Sequence, residues 1–307
     1  MPSRAENLVL IVGPTAVGKS GLAVELAVRF EGEVISADST QVYRGFDIGS
    51  DKPTPEMRRR VSHHLIDLLG PEAQFNAADF VREALKAIET VRSAGRLPFV
   101  VGGTGLYVRS LLEGLFPGPG RDPEVRERLE AEAREKGLES LHRRLREVDP
   151  EYAGKTGPRD RVRIVRALEV FELTGKPFSA HFADTRPPLG DMNIVKIGLE
   201  LPRPELYARI DARVERMFRE GLLEEVGRLL GSGVRPEAPA FRALGYRQAR
   251  LFLSGACSLE EARESTKTET RRFAKRQLTW FRKMPGFVWF QGGDVAGIEK
   301  HLRRSLK

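Results

Sequence analysis

Cysteine is almost missing from these 307 residues: Cys257 stands alone, so cysteine can build neither an internal disulfide nor a zinc cluster. The five histidines offer no substitute, since His63 and His64 are neighbours and not a helical turn apart, and the others show no ligand spacing. No apolar run has the length of a membrane span, and the N-terminus lacks the charged-then-apolar pattern of a signal peptide. A soluble cytoplasmic chain, away from any membrane, is expected. Internal repeats and low-complexity tracts are also lacking. What the chain does have is basic excess: 51 Lys and Arg against 43 Asp and Glu, a formal charge of +8. Such a balance suits a polyanionic partner, or only a basic soluble surface. The length exceeds that of one usual domain, so an inserted or second domain is expected.

The most informative stretch is Gly13 to Ser20, which fits G-x-x-x-x-G-K-[ST]. It follows an apolar run, Leu8 to Val12, that reads as a buried strand, and it leads into a helix whose positions 22, 23, 26, 27 and 30 share one apolar face. In this context Gly13, Pro14, Thr15, Ala16, Val17 and Gly18 form a loop of inward-pointing amides at a helix start, a natural seat for phosphate. Lys19 supplies a point charge and the Ser20 hydroxyl a ligand for Mg²⁺. The motif leaves the chemistry open between phosphoryl transfer, motor work and a reaction in which diphosphate departs.

A second strand, Glu33 to Asp38, ends at a carboxylate followed by Ser39, Thr40 and Gln41. At the C-terminal edge of a doubly wound sheet Asp38 can take a proton or hold Mg²⁺, although Asp-Ser-Thr is also cap chemistry. His63 to Asp67 reads as a short strand, and Phe75 to Ala94 as a helix ended by Gly95. The third long strand, from Leu97, breaks into Gly102-Gly-Thr-Gly105 and carries no acidic residue of the motor type at its end. Thr104 there offers a hydroxyl to a ligand, or merely completes a tight turn. Strands alternating with helices predict an α/β protein with a parallel sheet.

Pro117 to Pro123 marks a boundary, and residues 117–191 read as a mostly helical insertion whose Arg121 to Arg166 stretch holds 13 basic and 11 acidic residues. Asn193 to Leu199 reads as a strand returning to the sheet, so that 1–116 and 192–307 form the core. Leu206 to Leu230 reads as a long helical stretch with Arg209, Arg213 and Arg216 on one side. Phe241 to Arg247 mixes arginine with aromatics around glycine, a combination suited to bases and phosphates. From Arg263 to Lys283 there are eight basic residues against two acidic, with Phe273, Trp280 and Phe281 interleaved. That stretch suits a nucleic acid backbone or a core helix with a solvated basic face.

Taken together, Gly-Pro-Thr-Ala-Val-Gly-Lys-Ser (13 to 20), Ser-Ala-Asp-Ser-Thr-Gln-Val-Tyr-Arg (36 to 44), Asp-Ile-Gly (47 to 49), Lys-Pro (52 and 53), His-His-Leu-Ile-Asp (63 to 67), Gly-Gly-Thr-Gly-Leu-Tyr (102 to 107), Arg-Ala-Leu-Glu-Val (166 to 170), Leu-Gly-Tyr-Arg (244 to 247) and Ala-Lys-Arg-Gln-Leu-Thr-Trp-Phe-Arg (274 to 282) resemble the bacterial tRNA dimethylallyltransferases. Ser50 and Asp51 depart from that pattern, and the cysteine-containing extension of eukaryotic relatives is absent. The resemblance implies a P-loop NTPase-like core that binds dimethylallyl diphosphate with Mg²⁺ and transfers the prenyl group to N6 of the adenosine 3′ of the anticodon. It further implies Asp38 as general base, and Lys19 with Arg213 as neutralisers of the departing diphosphate. By the same resemblance Ser39 to Gln41 and Thr104 meet a flipped-out base, and Arg126, Arg163, Arg242 and Arg247 touch the anticodon stem-loop. A monomer is expected. Rival readings are a nucleotide kinase with Arg159, Arg161 and Arg163 as a lid, a prenyltransferase of free adenine nucleotides, and a non-catalytic RNA-binding protein.

Overall fold

The computed structural model describes residues 6–116 and 118–306; Pro117, at the expected boundary, lies outside the described residues. Two compact units divide the chain, Met1–Leu111 with Leu189–Lys307 and, separately, Leu112–Pro188.

The first unit begins with strand β1 (Asn7–Val12), helix α1 (Lys19–Arg29), β2 (Gly32–Ser36), α2 (Pro55–Arg60), β3 (His63–His64), α3 (Ala77–Ser93), β4 (Leu97–Gly102) and α4 (Gly105–Glu113). The helical unit holds α5 (Pro123–Lys136), α6 (Leu138–Val148), α7 (Pro150–Gly154) and α8 (Arg161–Thr174). The first unit resumes with β5 (Asn193–Glu200), α9 (Arg203–Arg219), α10 (Leu222–Gly231), α11 (Tyr246–Leu253), α12 (Leu259–Arg282), β6 (Val288–Gln291) and α13 (Val295–Ser305).

The six strands pair in parallel in the order β3-β2-β4-β1-β5-β6. All residues of β1 and β4 are buried, which explains why both read as unbroken apolar runs and not as alternating ones. From β1 the chain passes over β4 towards β2, whereas after β4 it returns beyond β1 to β5. Crossovers thus leave these two neighbours in opposite directions, and a crevice opens at their C-terminal ends. The phosphate loop follows β1 there, and Gly103 with Thr104 follows β4. Strand, loop and helix in this setting make a P-loop NTPase-like core.

Several elements differ from their sequence reading for identifiable reasons. The strand expected over 63–67 stops after His64, because Leu65 and Asp67 take left-handed φ values of 62° and 56°. The helical stretch over 206–230 is divided into two helices, parted at Gly221, whose φ is 104°. The helical unit has its own apolar core, with Leu129, Leu141, Leu145, Ile164 and Leu168 fully buried. Among the described residues no helix is long and apolar enough to cross a membrane.

Candidate active site

The phosphate loop takes its shape from backbone conformations that few residues adopt. Gly13 sits at φ 154°, with a hypothetical Cβ only 2.6 Å from the Leu199 carbonyl oxygen, so no side chain fits there. Gly18 (φ 99°) opens α1 in the left-handed region, and no side chain caps that helix. The first-turn amides of α1 therefore remain available to an anion. Lys19 folds back over the loop, its Nζ donating to the carbonyl oxygens of Gly13 (3.0 Å) and Pro14 (2.8 Å). Withdrawal from water brings its ammonium down to about 8; Arg213 pushes the same way, while Asp38 and Asp51 oppose the shift.

A cleft of about 1880 Å³ opens beside this loop, lined by Thr15, Ala16, Gly18, Lys19 and Ser20 together with Asp38, Ser39, Thr40, Gln41, Arg213, Arg242 and Arg247. The structure thus brings most of the residues singled out from the sequence to one place. Asp38 stands just beyond β2, and its Oδ1 accepts the amides of Thr40 (2.8 Å) and Gln41 (3.4 Å). Cap chemistry is therefore real here, but it uses one oxygen. Among the described residues Oδ2 receives no hydrogen bond. Thr104 is joined to the segment after β2 through its Oγ1, which accepts the Ser39 amide at 3.1 Å. Gln41 is 9 % exposed; its Oε1 accepts from Ser36 Oγ (2.8 Å) and its Nε2 donates to the Asp51 carbonyl oxygen (3.2 Å). It fixes the floor of the cleft.

Arg213 reaches the loop from α9, its Nη1 donating to Thr15 Oγ1 at 2.5 Å. Arg209 and Arg216 line the same cleft, as their shared face on the helix predicts. Gly13, Pro14 and Val17 are buried and shape the loop from behind. Arg126 and Arg163 belong to the helical unit, where Arg126 Nε contacts the fully buried Glu169 at 2.9 Å and Arg163 lies 3.5 Å from Asp160.

Two groups of residues escaped the sequence reading. Gln277, on the buried stripe of α12, accepts the Thr15 amide on Oε1 (2.9 Å) and donates through Nε2 to the Gly103 carbonyl oxygen (2.8 Å). A polar residue at a core position of an otherwise basic helix is the signal that marks it. The second group frames the loop at residues 47–52. Glu225 is 2 % exposed; it accepts the amides of Asp47 and Ile48 and the Tyr246 hydroxyl (2.6 Å), and that hydroxyl accepts the Gly49 amide. Lys52 spends its ammonium on the Tyr43 carbonyl oxygen (2.6 Å), Asp47 (2.7 Å) and Asp67 (2.6 Å). Burial pushes the Asp67 carboxyl up, yet the hydrogen bonds from Lys52 and Arg58 outweigh it and hold the group below its ordinary range.

The aromatics expected to grip bases between 241 and 247 do not face the cleft. Phe241 and Tyr246 are core residues at 1 % and 0 % exposure, packed with Phe46, because that much apolar ring surface finds a partner across the fold. Phe281 is likewise fully buried, whereas Arg272, Lys275 and Arg276 on α12 and Lys283 just after it stay exposed.

Comparison with known proteins matches residues 41–284 to the IPP transferase family. A tRNA dimethylallyltransferase of Geobacter sulfurreducens is 51 % identical over 285 residues, covering 93 % of this chain and 92 % of the relative. One from Thermomicrobium roseum is 48 % identical over 310 residues, covering 99 % and 93 %. Among solved structures, the tRNA isopentenylpyrophosphate transferase of Bacillus halodurans superposes with a TM-score of 0.73 at 42 % identity, covering 98 % of this chain and 97 % of that one. A eukaryotic dimethylallyltransferase acting on tRNA gives 0.80 at 28 % identity, covering 97 % and 77 %.

Proposed function

The chain belongs to the IPP transferase family, and on that footing we propose that it transfers a dimethylallyl group from dimethylallyl diphosphate to N6 of the adenosine 3′ of the tRNA anticodon. The observation that carries this reading is the meeting, in one cleft, of a phosphate loop with a carboxylate that keeps one oxygen unengaged. A phosphate site alone would serve a kinase equally well. A free carboxylate oxygen on the acceptor side suits an attacking amine.

In the proposed reaction the loop amides and Lys19 hold the diphosphate, and Arg213 reaches the same anion from α9. The C1–oxygen bond breaks as the N6–C1 bond forms, and the N6 proton passes to Asp38 Oδ2. Thr40 and Gln41 hold the other oxygen, so the carboxylate meets the amine without first reorienting. Charge growing on the departing diphosphate is met by groups already in place.

Among the described residues no group of three His, Cys, Asp or Glu stands together to cage a metal. Mg²⁺ commonly takes few protein oxygens and the rest from phosphates and water, so the Ser20 hydroxyl at the mouth of α1 fits it as a partner of the diphosphate. Held there, such an ion would supply positive charge to the leaving group. Ser39, Gln41 and Thr104 would border the flipped base, while Arg242, Arg247 and, from the helical unit, Arg126 and Arg163 would contact the RNA. The protein is proposed to act as a cytoplasmic monomer.

The deciding experiment is mass spectrometry of unmodified tRNA incubated with the protein, dimethylallyl diphosphate and Mg²⁺. One dimethylallyl group should replace a hydrogen on the nucleotide 3′ of the anticodon. Phosphoryl transfer from ATP with no prenylation would overturn the reading.

A further inference from the structure

Asp51 is an anion standing where an anion is to bind. Its side chain lines the cleft with Lys19 and Ser20. Oδ2 lies 3.3 Å from Arg213 Nη1, and Oδ1 3.3 Å from Arg216 Nη2. Among the described residues this carboxylate has no other partner. The backbone beneath it is pinned: its amide donates to the Ile48 carbonyl oxygen (3.2 Å), its own carbonyl oxygen accepts Gln41 Nε2 (3.2 Å), and φ is 53°. The side chain, by contrast, is 43 % exposed and can rotate towards water without moving the loop. A negative group at a diphosphate site opposes its guest unless it binds a metal or occupies the cations. Its two arginine contacts favour the second role.

We propose that the Asp51 carboxylate is a built-in counter-ion for Arg213 and Arg216, which the donor's diphosphate displaces on entry and which retakes the arginines as pyrophosphate leaves. The proposal rests on the diphosphate reading of the cleft. It makes Asp51 a positioning residue with two effects. The arginines are held towards the loop before the donor arrives, and the product is released more readily because its electrostatic partners have an internal replacement. Asp51 also raises the Lys19 ammonium pKa, against the larger lowering by burial, so removing the carboxylate would lower it further.

The test is calorimetric titration of the full chain with inorganic pyrophosphate, with and without Mg²⁺, comparing wild type with Asp51→Asn. Asparagine keeps the shape and tolerates the left-handed backbone; Asp51→Gly, which suits that φ better still, provides a second variant lacking the charge. Both should bind pyrophosphate on the order of five- to thirty-fold tighter, because a competing ion pair and a repulsion are lost together. Under turnover the donor KM should fall, product inhibition should deepen, and the alkaline limb of pyrophosphate binding should move to lower pH. Asp51→Glu should stay within a few fold of wild type. Equal or weaker pyrophosphate binding by the uncharged variants, in either metal condition, overturns the counter-ion role. If wild type binds no pyrophosphate at all, the diphosphate reading of the cleft fails first, and this proposal with it.

Discussion

Thr15 and Gln277, at opposite ends of the chain, are joined by a 2.9 Å hydrogen bond from the Thr15 amide to the Gln277 side-chain oxygen. The same side chain donates to the Gly103 carbonyl oxygen at 2.8 Å, so one amide couples the phosphate loop to the turn after β4. Thr15 in turn receives Arg213 on its hydroxyl. The phosphate loop, the turn after β4 and α9 are thereby held in a fixed relation. Gln277→Ala should leave two backbone groups unpartnered and cost about 1–3 kcal/mol, seen as an earlier transition in urea. Donor kcat/KM should fall as well, through loop geometry. An unchanged unfolding midpoint would show that the tie carries no stability.

Asp38 offers the sharpest kinetic separation. Asp38→Ala removes the proposed proton acceptor, and turnover should drop by roughly 10² to 10⁴, the usual contribution of general base catalysis. Affinity for tRNA should stay within a few fold, since the carboxylate's role lies in the transition state. Loss of the cap to the Thr40 amide could also loosen the loop. Asp38→Asn, which keeps an acceptor for that amide but takes no proton, tells the two apart. If the Asn variant turns over at the wild-type rate, Asp38 is not the base.

Lys19 gives a pH dependence of definite sign. Its ammonium is lowered to about 8, chiefly by withdrawal from water, so in the free enzyme the charge is present below that pH and is lost above it. Diphosphate favours the charged form, and its binding must therefore weaken as pH rises through about 8. Measured as donor kcat/KM, the alkaline limb should disappear in Lys19→Met at a much lower plateau. A limb that persists unchanged in that variant belongs to another group.

How much of this site could be read from the sequence follows from how local each feature is. The octapeptide at 13–20 needs only neighbouring residues to make its loop, and β1, β4 and β5 announce themselves as apolar runs. Asp38 could be placed because a strand end fixes where a residue falls in a parallel sheet. The break at Gly221 was hidden, since apolar spacing continues through it from Phe218 to Leu222 and Val226. Pairings across the fold leave no local trace: nothing near Tyr246 in the chain reveals that its hydroxyl meets Glu225 and the Gly49 amide. Aromatics beside arginines at 241–247 suit an RNA grip when read locally, but Phe46, distant in the chain, packs Phe241 and Tyr246 into the core.

The basic face of α12 remains the feature with the most direct consequence for RNA. Arg272, Lys275 and Arg276, with Lys283 just past the helix end, are exposed on the side opposite the buried Ala274, Gln277 and Phe281, so the C-terminal part of the helix separates charge from core. Each lysine or arginine that neutralises a phosphate releases a counter-ion, which steepens the fall of affinity with salt. Lys275→Ala with Arg276→Ala should weaken tRNA binding and reduce the slope of log affinity against log salt by about one to two. Because both residues are exposed, the unfolding midpoint should scarcely move. Binding measured at two salt concentrations decides the matter: if neither affinity nor slope differs from wild type, this face does not follow the phosphate backbone.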